Sequence, residues 1–466
     1  MIEKNQEFVG IVERLGANGE GVIKNDGIVV FIPYVLPEEK IRYKILKVAK
    51  TYAYGKVLEI LVPAEDRVRP LCPVFGRCGG CQLQHFNYVN ELKFKTTLVS
   101  DCFKKIANLN IDVKPTLKNN NEYGYRNKLQ LPIGAKNGES FIGFYAENSH
   151  RIVPISKCCI NPDWSEKLIL AIKQFMINYR IQGYDEETKR GILRHVVARE
   201  ADTGIIITLV SAKKQIPHID AFVEILKEYF IEFSLFVNFN DKDTNVVLGD
   251  EFTLIYGKDF YTTEMCGIKV DVGVRSFMQV NYDVASKIYQ NALKLLDIEE
   301  DTFVIDAYSG AGLMTAMFAK KARHAYGIEI IEEAVNIANK LALKNCLEDK
   351  MTNICGDCAE VLPPLVSELS AQGKVAVVLD PPRKGCDKKV IDAILKCNID
   401  KIVYISCNPA TLARDVGLLV GSLYYDGKEV KRAENYEPKY EVSYARPYDM
   451  FSKTKHVETL ICLTRK

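Results

Sequence analysis

Residues Phe303 to Gly312 read FVIDAYSGAG; helical spacing follows from Leu313 to Lys321, and His324 to Ile330 then read HAYGIEI. An apolar run, a glycine turn, a helix and a second apolar run describe a strand, a crossover and a parallel neighbour. Parallel strands need such crossovers and are buried on both faces, so the C-terminal part is expected to be a doubly wound, Rossmann-like α/β domain. The rhythm repeats. A buried strand from Val375 to Leu379 delivers Asp380, and another from Ile402 to Ile405 delivers Cys407 ahead of a helix starting near Ala410. Ligands bind at the carboxyl ends of strands in such sheets, which makes Tyr308, Glu329, Asp357, Asp380 and Cys407 the positions to watch.

Outward from there the text changes character. From Phe8 to Leu61 apolar and polar residues alternate, punctuated by Gly16, Gly19, Gly21, Asp26-Gly27 and Pro37, which predicts a small five-stranded OB-like β-barrel. Pro63, Pro70 and Pro73 mark its end. A proline-free helical stretch runs from Tyr88 to Leu109. Strand-like runs (Asn127 to Ile133, Ser140 to Tyr145, Ile205 to Val210) and helices (Trp164 to Tyr179, Ile219 to Tyr229) then predict a central α+β domain. The expected domains are 1–62; 63–87 with 111–275; and 88–110 with 276–466.

Composition narrows the function. The 466 residues are 47% hydrophobic and 26% charged, as in ordinary globular domains, and no stretch reaches the apolar length of a membrane span. The N-terminus MIEKNQEF lacks the apolar run of a secretory signal, so the chain is read as cytoplasmic, with no membrane partner and as a monomer. Net charge is only +2, although residues 1–150 carry 21 basic against 16 acidic side chains. That bias suits a polyanion, and equally a solvated mixed surface.

Three features carry chemistry. The glycines of Asp306–Gly312 allow a ligand close to the backbone, and Glu329 follows about 20 residues later, where a carboxylate grips ribose hydroxyls. A missing third glycine and the lack of a pyrophosphate cradle favour S-adenosylmethionine over NAD. Cys407 at a strand end, with a helix start and Arg414 nearby, is placed to be a thiolate nucleophile. Cys72, Cys78 and Cys81 (C-x5-C-x2-C) put three thiols in one glycine-rich loop, with Cys158 and Cys159 as candidates for a fourth. Three clustered thiolates and one distant one suit a cubane, while zinc remains the alternative. Cys355-x2-Cys358 is read as coincidental, His195 as structural, and YGYRNK (Tyr123 to Lys128) as either an RNA-facing strip or a solvated strand.

Taken together, SFMQVN (Ser276 to Asn281), DAYSGAG (Asp306 to Gly312), GIE (Gly327 to Glu329), DPPRKG (Asp380 to Gly385), SCNP (Ser406 to Pro409) and HVE (His456 to Glu458) resemble, in order, the S-adenosylmethionine-dependent RNA uracil-5-methyltransferases. The resemblance covers essentially the whole chain and is strongest to the bacterial branch acting on 23S ribosomal RNA, with a TRAM domain as the barrel. It implies that Gln279, Tyr308, Glu329 and Asp380 bind S-adenosylmethionine, with Asp357 contributing. By the same resemblance Cys407 is the nucleophile, Glu458 the general base and Asp380 a further catalytic group. It also implies a [4Fe-4S] cluster on Cys72, Cys78, Cys81 and Cys158. Leu313 departs from the family, where many relatives place a polar residue. Transfer RNA at its T-loop uridine is the runner-up substrate. A radical methylthiotransferase fits poorly because the cysteine spacing differs, and a purely RNA-binding role leaves Cys407 and Glu458 without use.

Overall fold

A computed structural model describes residues 2–276 and 278–466; Phe277, inside the SFMQVN motif, lies outside the described residues. The N-terminal sheet contains β1 (Glu7–Ile11), β2 (Arg14–Leu15), β3 (Gly21–Asn25), β4 (Ile28–Ile32), β5 (Lys40–Val48) and β6 (Tyr52–Val62), in the order β1-β5-β6-β4-β3-β2. The five expected strands are therefore joined by a sixth, two-residue piece, β2. Asp26 (φ 48°) and Gly27 (φ 78°) form the two-residue turn between β3 and β4, as an Asp-Gly pair favours because both positions need positive φ. Ile23, Val30, Ile32, Ile41, Tyr43, Ile45 and Ala53 point inward and form one small core.

Helix α1 (Tyr88–Cys102) follows, its N-terminus capped by the Asn87 side chain and its end wound into a π-turn over Phe103–Ala107. The central sheet comprises β7 (Lys128–Lys136), β8 (Glu139–Tyr145), β9 (Ile152–Pro154), β10 (Leu193–Ala201), β11 (Gly204–Ser211), β12 (Phe233–Phe239) and β13 (Glu251–Tyr256), ordered β13-β12-β11-β10-β7-β8-β9. Helices α2 (Asp163–Asn178) and α3 (Ile219–Tyr229) share its apolar core, Phe175 meeting Phe222 at 4.8 Å between ring centroids.

The hairpin of β14 (Phe260–Met265) and β15 (Ile268–Gly273) lies just before the expected boundary at 275. Its inward side chains Tyr261, Met265, Ile268, Val270 and Val272 join the core of the next domain, where they also meet Ala201, Ile206 and Phe236 of the central sheet. The hairpin thus welds the two domains.

The C-terminal domain runs α4 (Tyr282–Leu296), β16 (Phe303–Ala307), α5 (Leu313–Ala319), β17 (His324–Glu329), α6 (Glu332–Lys344), β18 (Met351–Cys355), α7 (Cys358–Ser370), β19 (Val375–Leu379), α8 (Lys388–Lys396), β20 (Lys401–Ser406) and α9 (Pro409–Val420). A short hairpin, β21 (Leu423–Asp426) and β22 (Glu429–Arg432), precedes β23 (Tyr440–Tyr448) and β24 (Glu458–Arg465). The sheet order is β18-β17-β16-β19-β20-β24-β23, parallel from β18 to β20 and antiparallel beyond. Val99, Phe103 and Ala107 share this core with residues such as Ile305, Val377 and Tyr404. Among the described residues no helix is long and apolar enough to cross a membrane.

Candidate active site and cysteine-lined cavity

The strand order reverses between β16 and β19, and a cleft of about 420 Å³ opens there. Tyr308, Glu329, Asp357 and Asp380 all line it. The two glycines of the turn have separate causes. Gly310 (φ 54°) faces open space, so the backbone is bare towards a ligand; at Gly312 (φ 80°) a Cβ would lie 2.7 Å from that of Ala338, so packing alone demands glycine. Glu329 braces the turn, its Oε2 accepting from Gly310 N (3.0 Å) and its Oε1 from Ile331 N (2.9 Å). Asp357 caps α7 through Ala359 N at 2.8 Å. Leu313 packs against the hydrophobic core.

Beneath the cleft, Asp306 is buried, with Oδ2 accepting from Thr315 Oγ1 at 2.6 Å and Oδ1 without a partner. Burial pushes the carboxyls of Asp306 and Asp380 up to about 7. Gln279 stands apart from the other cofactor candidates. Its side chain meets the buried Tyr289 of α4, and its carbonyl accepts from Asn127 Nδ2 at 2.9 Å. Tyr289 in turn feels the charges of Asp380, Glu458 and Asp306, so it is a hub that the sequence did not disclose.

Cys407 and Glu458 are brought opposite each other by register. Strands β20 and β24 pair antiparallel from Lys401 with Thr464 to Ser406 with Thr459, so the next opposed positions are Cys407 and Glu458. Cross-strand neighbours lie about 5 Å apart. Burial holds the Glu458 carboxyl well above the usual range and Asp380 adds to this, while Arg383 opposes it. The Cys407 thiol is likewise pushed up by burial and by Glu458, with Arg383 lowering it by charge and hydrogen bond.

Arg383 is the cation expected of Arg414. Arg414 is committed elsewhere, donating from Nε to Asp415 Oδ1 at 2.8 Å and from Nη2 to Lys384 O at 2.9 Å. The backbone of Arg383 is held at the start of α9 by Asn408 Nδ2 (3.1 Å) and Thr411 Oγ1 (3.2 Å). Its place three residues after Asp380, beyond two stiff prolines, was the available signal. Arg383, Cys407, Asn408 and His456 line a pocket of about 230 Å³, completed on one side by Ala17 and Asn18 of the barrel. Within YGYRNK, Asn127 N donates to Val280 O (2.9 Å), Tyr125 Oη donates to Ser452 O (3.0 Å), and Arg126 borders the cysteine-lined cavity.

A second cavity, about 210 Å³, is lined by Cys72, Cys78, Cys81, Cys158 and Cys159 with Val74, Phe75, Phe144, Ile155 and Ile160. Among the described residues no three Cys, His, Asp or Glu side chains converge as one ion requires. Gly80 N donates to Cys78 Sγ at 3.4 Å, and the Cys72 and Cys159 thiols hydrogen-bond each other. Cys355 is exposed while Cys358 is buried in the core, and His195 lies buried with Nδ1 unpartnered.

A family profile described as tRNA (Uracil-5-)-methyltransferase matches residues 368–466, one for the TRAM domain matches 6–58, and one for ribosomal RNA adenine dimethylase matches 273–376. The chain is 37% identical to an uncharacterized RNA methyltransferase of Clostridium tetani over 99% of this chain and 97% of that one. It is 38% identical to another from Halalkalibacterium halodurans, over 100% and 98%. Its fold is similar to that of the Pyrococcus abyssi tRNA (uracil-54, C5)-methyltransferase solved with S-adenosyl-L-homocysteine (TM-score 0.76, 24% identity, 98% of this chain and 100% of that one). A uracil-5-methyltransferase profile on the Rossmann-like domain, a TRAM profile on the barrel and RNA methyltransferase relatives alike over their whole length show that the chain belongs to the S-adenosylmethionine-dependent RNA (uracil-5-)-methyltransferases.

Proposed function

We propose that the chain methylates carbon 5 of a uridine in 23S ribosomal RNA, with Cys407 as nucleophile and Glu458 as base. The observation that carries this is the β20–β24 register, which opposes thiol and carboxyl beside a pocket of nucleoside size and next to the cofactor cleft. Cys407 Sγ adds to carbon 6 of the flipped base, and the displaced electron pair makes carbon 5 nucleophilic. Gln279, Tyr308, Glu329 and Asp380, with Asp357 contributing, would hold S-adenosylmethionine, which when bound would supply the methyl group that carbon 5 takes. Arg383, in the Cys407 pocket, would donate to a ring carbonyl, and Asp380 would accept from the ring N3–H or orient the methyl donor. Glu458 then removes the carbon 5 proton, the pair reforms the double bond, and the thiolate leaves.

The second reading is the T-loop uridine of transfer RNA, supported by the fold, barrel included, being that of an archaeal enzyme named for that substrate. Mapping 5-methyluridine in both RNAs from a deletion strain decides between them. Loss from 23S RNA alone supports the first reading, and loss from transfer RNA alone overturns it.

Both reactive groups are raised above their ordinary values, so their inactive protonated forms persist to higher pH and the active pair is gained as pH rises. We expect kcat/KM for RNA to climb with rising pH towards the thiol's titration. Arg383→Gln removes the one group that favours the thiolate. It should move that limb upward by about one pH unit and lower kcat/KM near neutrality roughly tenfold. An unmoved pH profile would remove Arg383 from the mechanism.

For the cysteine cavity we infer a [4Fe-4S] cluster on Cys72, Cys78, Cys81 and Cys158. What supports this reading is that the four thiols line one cavity together with apolar side chains, and soft thiolates select iron-sulfur or zinc. Bound there, the cluster would fasten the loop at 72–81 to the 158–159 turn. Anaerobically purified protein should carry about four iron and four sulfide per chain. Cys158→Ala should lose them and Cys159→Ala keep them. Zinc without sulfide would replace the cluster, and loss in Cys159→Ala would reassign the fourth ligand.

A further inference from the structure

Helix α9 opens just after Cys407, and Asn408 at its cap, Thr411, Arg414 and Asp415 recur at the three-to-four spacing that puts side chains on one helix face. All four reach the loop that carries Arg383. Asn408 Nδ2 and Thr411 Oγ1 donate to Arg383 O (3.1 and 3.2 Å), and Arg414 Nη2 donates to Lys384 O (2.9 Å) and Cys386 O (3.3 Å). Asp415 completes the row, its Oδ2 accepting from Cys386 N at 2.8 Å. The backbone from Arg383 to Cys386 is therefore fastened to the helix at both ends.

Asp415 is the member that ordinary helix chemistry does not explain. It is fully buried in mid-helix, although aspartate is a weak helix former and a carboxylate out of water is costly unless donors replace the solvent. Three donors do so. Besides Cys386 N, Tyr404 Oη donates to Oδ2 at 2.6 Å and Arg414 Nε donates to Oδ1 at 2.8 Å. Tyr404 belongs to β20, the strand that delivers Cys407, so strand, helix and loop meet at one carboxylate. The fit leaves no slack: at Gly385 (φ 77°) a Cβ would lie 2.4 Å from Asp415 Oδ2 and 2.7 Å from Arg414 Nη2. A buried ion pair adds little net stability, so what this one supplies is geometry.

The geometry ends at the thiol. The Arg383 side chain hydrogen-bonds Cys407 and lowers its titration, while Glu458 of β24 and Asp380 of the same loop raise it, and Lys455 and His456 stand on the pocket wall. A guanidinium on a long, flexible stem holds one contact only if its backbone is fixed.

We propose that Asp415, together with Arg414, is a positioning residue for methyl transfer: the pair locks the 383–386 loop to α9 and so keeps the Arg383 guanidinium on the Cys407 thiol. This rests on reading Cys407 as the nucleophile. The test treats the full chain, without RNA or S-adenosylmethionine, with iodoacetamide, which takes the thiolate, and follows the Cys407 peptide by mass spectrometry as pH rises. Asp415→Asn keeps the size but offers one acceptor oxygen where the carboxylate offers two, and its NH2 confronts a donor. Arg414→Gln, at a side chain 29% exposed, cuts the bonds to Lys384 O and Cys386 O and carries the test if Asp415→Asn folds poorly. Each should raise the alkylation midpoint by about one pH unit, as Arg383→Gln does. Asp415→Asn/Arg383→Gln should move it no further than Arg383→Gln alone, because both changes remove one contact. A lower melting temperature with an unmoved midpoint would make the pair merely structural and overturn the proposal. A double shift equal to the sum of the single ones would overturn it as well, since Asp415 would then act on the thiol by another route. The catalytic reading fails separately: a Cys407→Ala protein that still forms 5-methyluridine loses that nucleophile, while the shift read on the thiol keeps the latch.

Discussion

Glu458→Gln is expected to trap the enzyme on its RNA. The amide keeps the size of the buried carboxyl at the start of β24 and lacks only a basic oxygen, so the cleft and the thiol opposite remain as they were. Cys407 can still add to carbon 6 and the methyl group can still reach carbon 5. The carbon 5 proton then has no acceptor, and the thiolate cannot be expelled until it leaves. Turnover should fall by about 10² to 10⁴, the span typical of losing a positioned general base. A methylated protein–RNA conjugate should persist through denaturing electrophoresis, requiring both S-adenosylmethionine and Cys407. Cys407→Ala should form neither conjugate nor product. Parent-rate turnover in Glu458→Gln would show that the base has been misassigned. Cys386, near the Asp380 loop, offers no rescue: it is 2% exposed, its Sγ lies 3.6 Å from Tyr404 Oη, and burial pushes it up to about 12.

What the sequence disclosed and what it hid follow from how local each feature is. The Asp26-Gly27 turn, the glycine turn before α5 and the strand delivering Asp380 rest on signals within a few residues, and all were legible. The facing of Cys407 and Glu458 depends on two strands about fifty residues apart choosing one register, so Glu458 could be named only by family resemblance. Proximity in sequence misled in one place. Arg414 follows Cys407 by seven residues, but α9 carries its guanidinium to Asp415, and the cation at the thiol comes from the neighbouring loop as Arg383. The hairpin at 260–273 reads as ordinary alternating strands, and nothing in alternation says which domain its apolar face will enter.

Lys95→Met should cost the chain about 3 to 5 kcal/mol, because it strips the lysine from between two buried carboxylates and leaves Glu91 only its longer pair with Lys453 Nζ (3.4 Å). Lys95 is fully buried, with Nζ 3.0 Å from Glu91 Oε1 and 2.5 Å from Asp449 Oδ1. Burial works against its charge, but Asp449 and Glu91 outweigh it and hold its pKa above the ordinary value, so it is charged throughout the neutral range. The intact ion pair is weak evidence of stability, since desolvation consumes most of the attraction; the cost arises when one member is taken and its partners stay. These partners reach the active site. Asp449 also accepts from Tyr88 Oη (2.6 Å) and Ser452 Oγ (2.5 Å), Glu91 accepts from Lys453 N (2.8 Å), and Lys453 O receives Gln82 N (3.2 Å) and Leu83 N (3.0 Å) from the cysteine loop. The segment so pinned runs directly into Glu458. Lys95→Met should therefore lower the melting temperature by roughly 10 °C. At a permissive temperature it should also raise the fraction of methylated conjugate, as a misplaced base would. Adding Asp449→Asn and Glu91→Gln removes the stranded charges and should recover much of the loss, a coupling that independent sites do not show. A Lys95→Met protein melting within about 1 °C of the parent would mean that the two carboxylates find protons or water without cost, and that the network neither stabilises the fold nor aims the base.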